Sequence, residues 1–375
     1  MKVALELQPC CGQRSGIGTY TYELARRLQD GNGLEFSGNL FNFRGANDHA
    51  AALRELSMPI RENRQLSYGV YRRIWHAAPL PYQALFPDTA DLHVFFDYIV
   101  PPRIGGKTVT TIHDLTYLRY PQTMQSRNRR RIQRDIRYSL DRSSRIVTIT
   151  EFSKRELIEL LAVPEENISI VSPAPSLSAG CTPWAELTAR YPIRGPYLLY
   201  VGNLEPRKNL PTLLLAFHRL QQETGLSHQL VLAGNPGWKN DEVHRRIEAL
   251  GLSERVVFTG YVSGADKNAL YQNAALFVFP SLYEGFGIPP LEAMHFGCPV
   301  VCARAASLPE VAGDAAAMAD PLDSVGLAEA MWRVLSDGAY AAGLVERGYR
   351  QAQKYNWDAS AEKLTALCKA VLGER

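Results

Sequence analysis

The chain lacks any run approaching the ~18 apolar residues of a membrane span. It also lacks a secretory start: MKVALELQPCCG places Glu6 and Gln8 where the core of a signal peptide must be apolar, so the opening reads as a first strand. Cysteine is scarce. Cys10, Cys11, Cys181, Cys298, Cys302 and Cys368 show neither zinc-ligand spacing nor a disulfide framework, which fits buried thiols in a reducing cytosol. Neither sign of charge dominates: the net +3 divides into +5 on residues 1–180 and −2 on residues 181–375. The first half is therefore the one to favour an anionic partner. No internal repeat and no low-complexity tract interrupts the chain.

What is present is ordinary globular material, 46% apolar and 21% charged over 375 residues, enough for two domains with full cores and a cleft between them. Short β-branched runs alternate with helical patterns, the signature of parallel sheets covered by helices. VALEL, FSGNLFNF, LHVFFDY, TVTTIHD, RIVTIT and ISIVSP read as strands of the first half; PYLLYVGN, QLVLAGN, RVVFTGY, LFVFPS and PVVCA read as strands of the second. Residues 172–196, rich in Pro, Ser and Gly, read as a linker. NWDASAEKLTALCKAVL has apolar residues at helical spacing and reads as a closing helix.

Ligands of open parallel sheets sit beyond the carboxyl ends of the strands, and four such places carry unusual residues. After VALEL, Gly16, Ile17 and Gly18 precede the helical pattern TYTYELARRL; glycines there let a backbone approach a ligand, or simply make a tight turn. TVTTIHD ends in His113 and Asp114, placing an imidazole at the cleft edge or capping the next turn. In VGNLEPRKNL, Arg207 and Lys208 stand near a helix start, against its dipole, an arrangement that calls for an anion such as a diphosphate; a solvated surface pair is the alternative. SLYEGFGIPPLEAM puts Glu284 in a glycine loop and Glu292 in the first turn of a helix opened by two prolines. These carboxylates need not face each other, as glycoside hydrolysis would require, so sugar-hydroxyl recognition suits Glu284 better, and a dipole interaction alone could explain Glu292.

Taken together these segments resemble the family 4 glycosyltransferases over nearly the whole chain: Glu284-x7-Glu292, the PVV and LPEV segments after it, the Arg207–Lys208 loop, TIHD and SGIGTYTYEL. The resemblance implies the α/β GT-B fold of two Rossmann-like, doubly wound parallel-sheet domains: residues 1–180 for the acceptor, residues 181–355 for the nucleotide sugar, and helix 356–375 able to rejoin the first. It implies that Glu292 bonds the donor ribose, that Glu284 lies by the transferred sugar, and that Gly285, Phe286 and Gly287 contact sugar hydroxyls and phosphate. Arg207 and Lys208 would neutralise the diphosphate, His113 would meet the donor sugar, Gly18 would let the front loop approach the phosphates, and Gly260 and Tyr261 would lie near the base. No cofactor or metal is expected beyond the nucleotide sugar. Retention of configuration, by a same-face attack in which the departing phosphate helps deprotonate the acceptor hydroxyl, is likewise implied by resemblance. The GIGTY loop and the length look most similar to bacterial mannosyl- or rhamnosyltransferases of surface-polysaccharide assembly, which favours GDP-mannose, with UDP-sugars open.

SRNRRRIQRDIRYSLDRSSR packs eight arginines, from Arg127 to Arg145, into a helical pattern with an apolar stripe of Ile132, Ile136 and Leu140. It suits an anionic membrane and a lipid-linked acceptor at the inner face of the plasma membrane, or is a solvated face. Rival readings fare less well. A Rossmann dehydrogenase would need a compact G-x-G-x-x-G; an epimerase of the same fold would turn over donor without acceptor; a nucleic-acid binder leaves Glu284-x7-Glu292 unexplained.

Overall fold

The computed structural model describes residues 1–374 apart from 12–15, 29–30, 32, 46–52, 54, 76–78, 88 and 238–240. The chain divides into two units: the first takes Met1–Arg119, Met124–Pro173 and Asn356–Arg375, the second Tyr120–Thr123 and Ala174–Tyr355.

Each unit is built on an all-parallel sheet. The first contains β1 (Lys2–Glu6), β2 (Glu35–Phe41), β3 (Ile60–Asn63), β4 (Leu92–Phe95), β5 (Lys107–Thr111), β6 (Arg145–Thr148) and β7 (Ile168–Ile170), in the order β3-β2-β1-β4-β5-β6-β7. The second contains β8 (Tyr197–Val201), β9 (Gln229–Ala233), β10 (Val256–Gly260), β11 (Leu276–Phe279), β12 (Val300–Ala303) and β13 (Ala316–Ala319), in the order β10-β9-β8-β11-β12-β13. Both sheets are doubly wound, and each reverses direction at one point, between β1 and β4 in the first and between β8 and β11 in the second. A crevice opens beyond the strand ends at such a point.

All the strands read from sequence are present, together with two that the pattern does not reveal. β3 is IREN, whose charged residues suit the half-solvated edge it occupies; β13 is AAMA, which has no β-branched residue and gains its place by pairing with β12. Central strands are buried on both faces: every residue of Tyr197–Val201 and of Leu276–Phe279 is buried. Helix Leu210–Thr224 covers the second sheet with Leu213, Leu214, Phe217 and Leu220. Pro211 in its first turn lacks an N–H that would have no helical partner, and Gly225, at φ 69°, ends it.

The Pro- and Ser-rich linker stretch holds structure of its own. Helix Trp184–Arg190 buries Leu187, and Trp184 stacks on Tyr197 at 6.0 Å between centroids. Helix Trp357–Gly373 packs in the first unit, where Trp357 meets the Tyr20 ring edge-on at 5.9 Å and Ser360 Oγ donates to Ser172 O at 2.6 Å. The arginine-rich segment is a helix only over Ser126–Leu140; Arg142 follows its end and Arg145 starts β6, where pairing with β5 and β7 overrides helical spacing. Ile136 is buried and Ile132 and Leu140 are partly so, against Ile112, Leu115 and Leu157. Arg127, Arg130, Arg131, Arg134 and Arg137 are exposed.

Candidate active site

The second sheet's reversal point gathers the strongest motifs. Beyond β8 the chain makes a single turn, Pro206–Lys208, before helix Leu210–Thr224; beyond β11 it runs through Tyr283 and Glu284. Leu282 N donates to Arg207 O at 2.9 Å and ties the two loops together. Arg207 Nη1 then reaches Glu284 Oε2 at 2.8 Å and Tyr283 O at 2.5 Å, while its Nη2 donates to Glu205 Oε1 at 2.8 Å. Lys208 Nζ donates to Glu284 Oε1 at 2.6 Å and lies 5.2 Å from the centroid of the Phe279 ring. The two cations therefore do not stand unpaired beside a helix start, as the sequence suggested. Glu284 supplies the anion from within the fold and accepts on both oxygens.

Burial alone would raise the Glu284 carboxyl, which is 8% exposed, but Arg207 and Lys208 outweigh it and bring it to about 2. Burial, with Arg207 adding repulsion, presses Lys208 below an ordinary lysine, against the pull of Glu284. At neutral pH the cluster holds a carboxylate between two cations, in surroundings dry enough for charge to matter.

The glycine loop is fixed from behind. Ser307 shares its hydroxyl proton between the carbonyls of Glu284 (2.8 Å) and Phe286 (2.9 Å), and Phe286 is buried edge-on against Tyr355 at 5.1 Å. Gly287 has φ 101°, a conformation that favours glycine, and a Cβ there would fall 2.6 Å from Leu308 Cδ2 and oblige that side chain to shift. Helix Ile288–His295 follows, with Pro289 and Pro290 at positions whose N–H groups would lack helical partners. Glu292 is its fifth residue, in the second turn and not the first. The dipole account therefore gives way to side-chain partners: Lys267 Nζ at 2.5 Å and Tyr271 OH at 3.0 Å, around a carboxylate that is 4% exposed.

The remaining candidates belong to other elements. Gly260 ends β10 at φ 67°, followed by Tyr261, which is 64% exposed. In the first unit, His113 Nε2 lies 2.8 Å from Phe96 O. A carbonyl only accepts, so Nε2 carries the proton and Nδ1 is left as an acceptor. Burial lowers the His113 pKa, and the Tyr20 ring stands edge-on at 5.0 Å. The turn after β5 is capped by Asp114, whose Oδ1 accepts from Thr116 N at 2.9 Å, which frees His113 from that task. Gly18 is buried in the first turn of helix Gly16–Ala25, inside the helix and not in a loop ahead of it; residues 12–15 of the front loop lie outside the described residues. Among the described residues no three His, Cys, Asp or Glu side chains cluster as a metal would need.

Residues 14–177 match the family model described as Glycosyltransferase Family 4, and residues 190–351 match the model for Glycosyl transferases group 1. Over 96% of its length the chain is 32% identical to the O-antigen chain mannosyltransferase B of Escherichia coli, of which it covers 97%. The chain belongs to the family 4 glycosyltransferases. This glycosyltransferase is also 31% identical to the serotype-specific mannosyltransferase WbdA of Escherichia coli, over 68% of this chain and 32% of that protein. Its fold is GT-B: sucrose-phosphate synthase from Thermosynechococcus elongatus superposes with a TM-score of 0.74 at 20% identity over 99% of both chains. HepE of Anabaena, in complex with UDP and glucose, does so at 0.75 and 16% identity, over 99% of this chain and 100% of that one.

Several residues that shape this candidate site carry little signal in the sequence. Glu205 sits inside the quoted VGNLEPRKNL and Ser307 directly before LPEV, but both look like surface residues until Arg207 and the glycine loop are seen to lean on them. Lys267 and Tyr271 lie in ADKNALYQN, whose four-residue spacing is the one available signal that both project from one helical face.

Proposed function

We propose that this glycosyltransferase moves mannose from GDP-mannose, with retention of configuration, onto a glycan or lipid-linked glycan of surface-polysaccharide assembly. The observation that carries the reading is the buried Arg207–Lys208–Glu284 cluster at the second reversal point. Breaking a sugar–phosphate bond leaves charge on a nucleoside diphosphate, and two fixed cations in a dry site stabilise that charge without reorganising. An arriving diphosphate competes with Glu284 for Arg207 and Lys208 and leaves the carboxylate beside the transferred sugar. Gly285, Phe286 and Gly287 offer backbone groups held by Ser307, Glu292 takes the ribose, and Gly260 and Tyr261 adjoin the base. In this reading the first unit takes the acceptor, and neutral His113 accepts a sugar hydroxyl at Nδ1. The departing phosphate takes the acceptor proton, so the transfer draws on no metal and no covalent sugar intermediate.

The mannosyltransferase names of the Escherichia coli relatives support mannose as the sugar moved. The UDP of the HepE complex makes a UDP-sugar the competing donor. The exposed arginines of Ser126–Leu140 support attachment to anionic lipid at the cytoplasmic face, where a lipid-linked acceptor would be met. No described helix is long and apolar enough to cross a membrane.

A melting-curve screen of GDP-mannose, UDP-glucose and ADP-glucose tests the donor, because a ligand of the native state raises its stability. GDP-mannose is expected to give the largest rise, and mannosyl transfer to a glycan acceptor should follow. A larger rise with UDP-glucose replaces the donor, and no rise with any sugar nucleotide removes the reading. Co-flotation with phosphatidylglycerol vesicles, lost when Arg127, Arg130 and Arg131 are changed to Gln, checks the membrane part.

A further inference from the structure

Helix Gly264–Asn273 carries none of the quoted motifs, yet it holds Glu292. Lys267 Nζ donates to Oε1 at 2.5 Å and Tyr271 OH donates to Oε2 at 3.0 Å, so each carboxylate oxygen is fixed by its own donor. A carboxylate oxygen has two acceptor positions, and among the described residues each oxygen of Glu292 has a single donor, so one position remains on each. Two open positions side by side suit two adjacent hydroxyls, as in the 2′,3′-diol of a ribose. Lys267 also supplies the compensating charge that a buried carboxylate requires.

The two donors are themselves held in place. Ser263 Oγ caps the helix by accepting from Asp266 N at 3.1 Å. Buried Asp266 accepts from Thr182 Oγ1 at 2.6 Å, from Arg190 Nη1 at 2.5 Å and from Tyr191 OH at 3.1 Å. Asn268 Nδ2 donates to Ser178 O at 2.8 Å and Gly180 O at 2.9 Å, and a Cβ on Gly264 would fall 1.7 Å from Ser178 Oγ. Tyr271 is fully buried, edge-on to Phe277 at 5.4 Å and stacked on Phe296 at 6.1 Å. A bonding group supported in this way is placed within the tolerance that recognition needs.

We infer that Lys267 and Tyr271 are positioning residues that hold Glu292 as the reader of a vicinal ribose diol, so that the enzyme selects ribonucleotide over deoxyribonucleotide donors. The inference rests on the donor reading above and deepens it. Titration calorimetry of the full chain with GDP, 3′-deoxy-GDP, UDP and 3′-deoxy-UDP tests both separately. The wild type is expected to bind the ribose form of its preferred base roughly tenfold or more tighter, the size of one hydrogen bond to a charged group. Lys267→Met should bring that ratio to within about threefold, Lys267→Arg should restore it, and Tyr271→Phe should fall between. A Lys267→Met protein that keeps the wild-type ratio, or that loses both forms by one factor as a merely structural residue would, overturns the inference. If Lys267→Met shows no melting transition, an unchanged ratio in Tyr271→Phe overturns it instead. Equal wild-type binding of ribose and deoxyribose forms also overturns it, whereas no binding of any of the four overturns the donor reading itself.

Discussion

Glu6 and Glu284 occupy comparable places in the two units. Glu6 ends β1 and Glu284 follows β11, each beside the point where its sheet reverses, and each is 8% exposed. Their ionisation is opposite. Burial pushes Glu6 up to about 7, with only the Tyr82 hydroxyl (2.5 Å) and Gln8 N (3.1 Å) pulling against it. Glu284, with Arg207 and Lys208 in place of those neutral donors, is held at about 2. Equal burial thus gives a permanent anion in one unit and a group poised near neutrality in the other, and the difference lies wholly in the partners.

The contrast is broken most severely by Glu284→Ala, which leaves two buried cations without their shared anion. The expected loss of stability is about 3–5 kcal/mol, read by urea unfolding, and the same change at an exposed carboxylate such as Glu346 should be close to neutral. Next, Lys208→Met leaves Glu284 paired with Arg207 but removes a cation from the place where diphosphate charge would develop. Transfer kinetics should show kcat/KM falling by about 10²–10³ while the melting temperature moves little by comparison.

A third test separates the two carboxylates by pH. The folded value of Glu284 lies below its ordinary 4.5, so its contribution is complete above about 4.5 and is lost as pH falls toward 2. The folded value of Glu6 lies above 4.5, so its contribution is complete below about 4.5 and is lost as pH rises through about 7. Glu6→Gln imitates the neutral acid, and relative to the wild type it should gain roughly 1–3 kcal/mol between pH 5 and pH 8, measured by denaturant unfolding at each pH. The smallest change is Tyr82→Phe, which removes one donor from Glu6. It should cost about 1 kcal/mol and move the Glu6 titration further upward, followed by carboxyl ¹³C NMR shifts.

The comparison also marks how far sequence reaches. Strand runs such as LFVF and YLLYV are legible because a doubly covered parallel strand must be apolar throughout, and two doubly wound parallel-sheet units follow from their alternation with helices, whereas the GT-B class came from the family resemblance. IREN and AAMA are not legible, because their place at sheet edges comes from neighbours and not from their own preferences. In the site, Arg207, Lys208, Glu284 and Glu292 stand out as residue types in the wrong company for a plain loop. Their pairing does not: 76 residues separate Lys208 from Glu284 and 25 separate Lys267 from Glu292, and such long-range partners appear only when strands are laid side by side. Glu6 carried no signal of its partner, since a single acid at a strand end looks solvated until Tyr82 is folded over it.

The return of helix Trp357–Gly373 to the first unit has a consequence for synthesis on the ribosome. When Pro173 emerges, the surface that will receive Trp357, around Tyr20, is complete in sequence but bare. At about 5–20 residues per second the closing helix arrives about 10–40 s later, after the whole second unit has been made. The first-born half of the protein is therefore finished last, and nascent chains halted before the final helix leave an apolar seat open to chaperones.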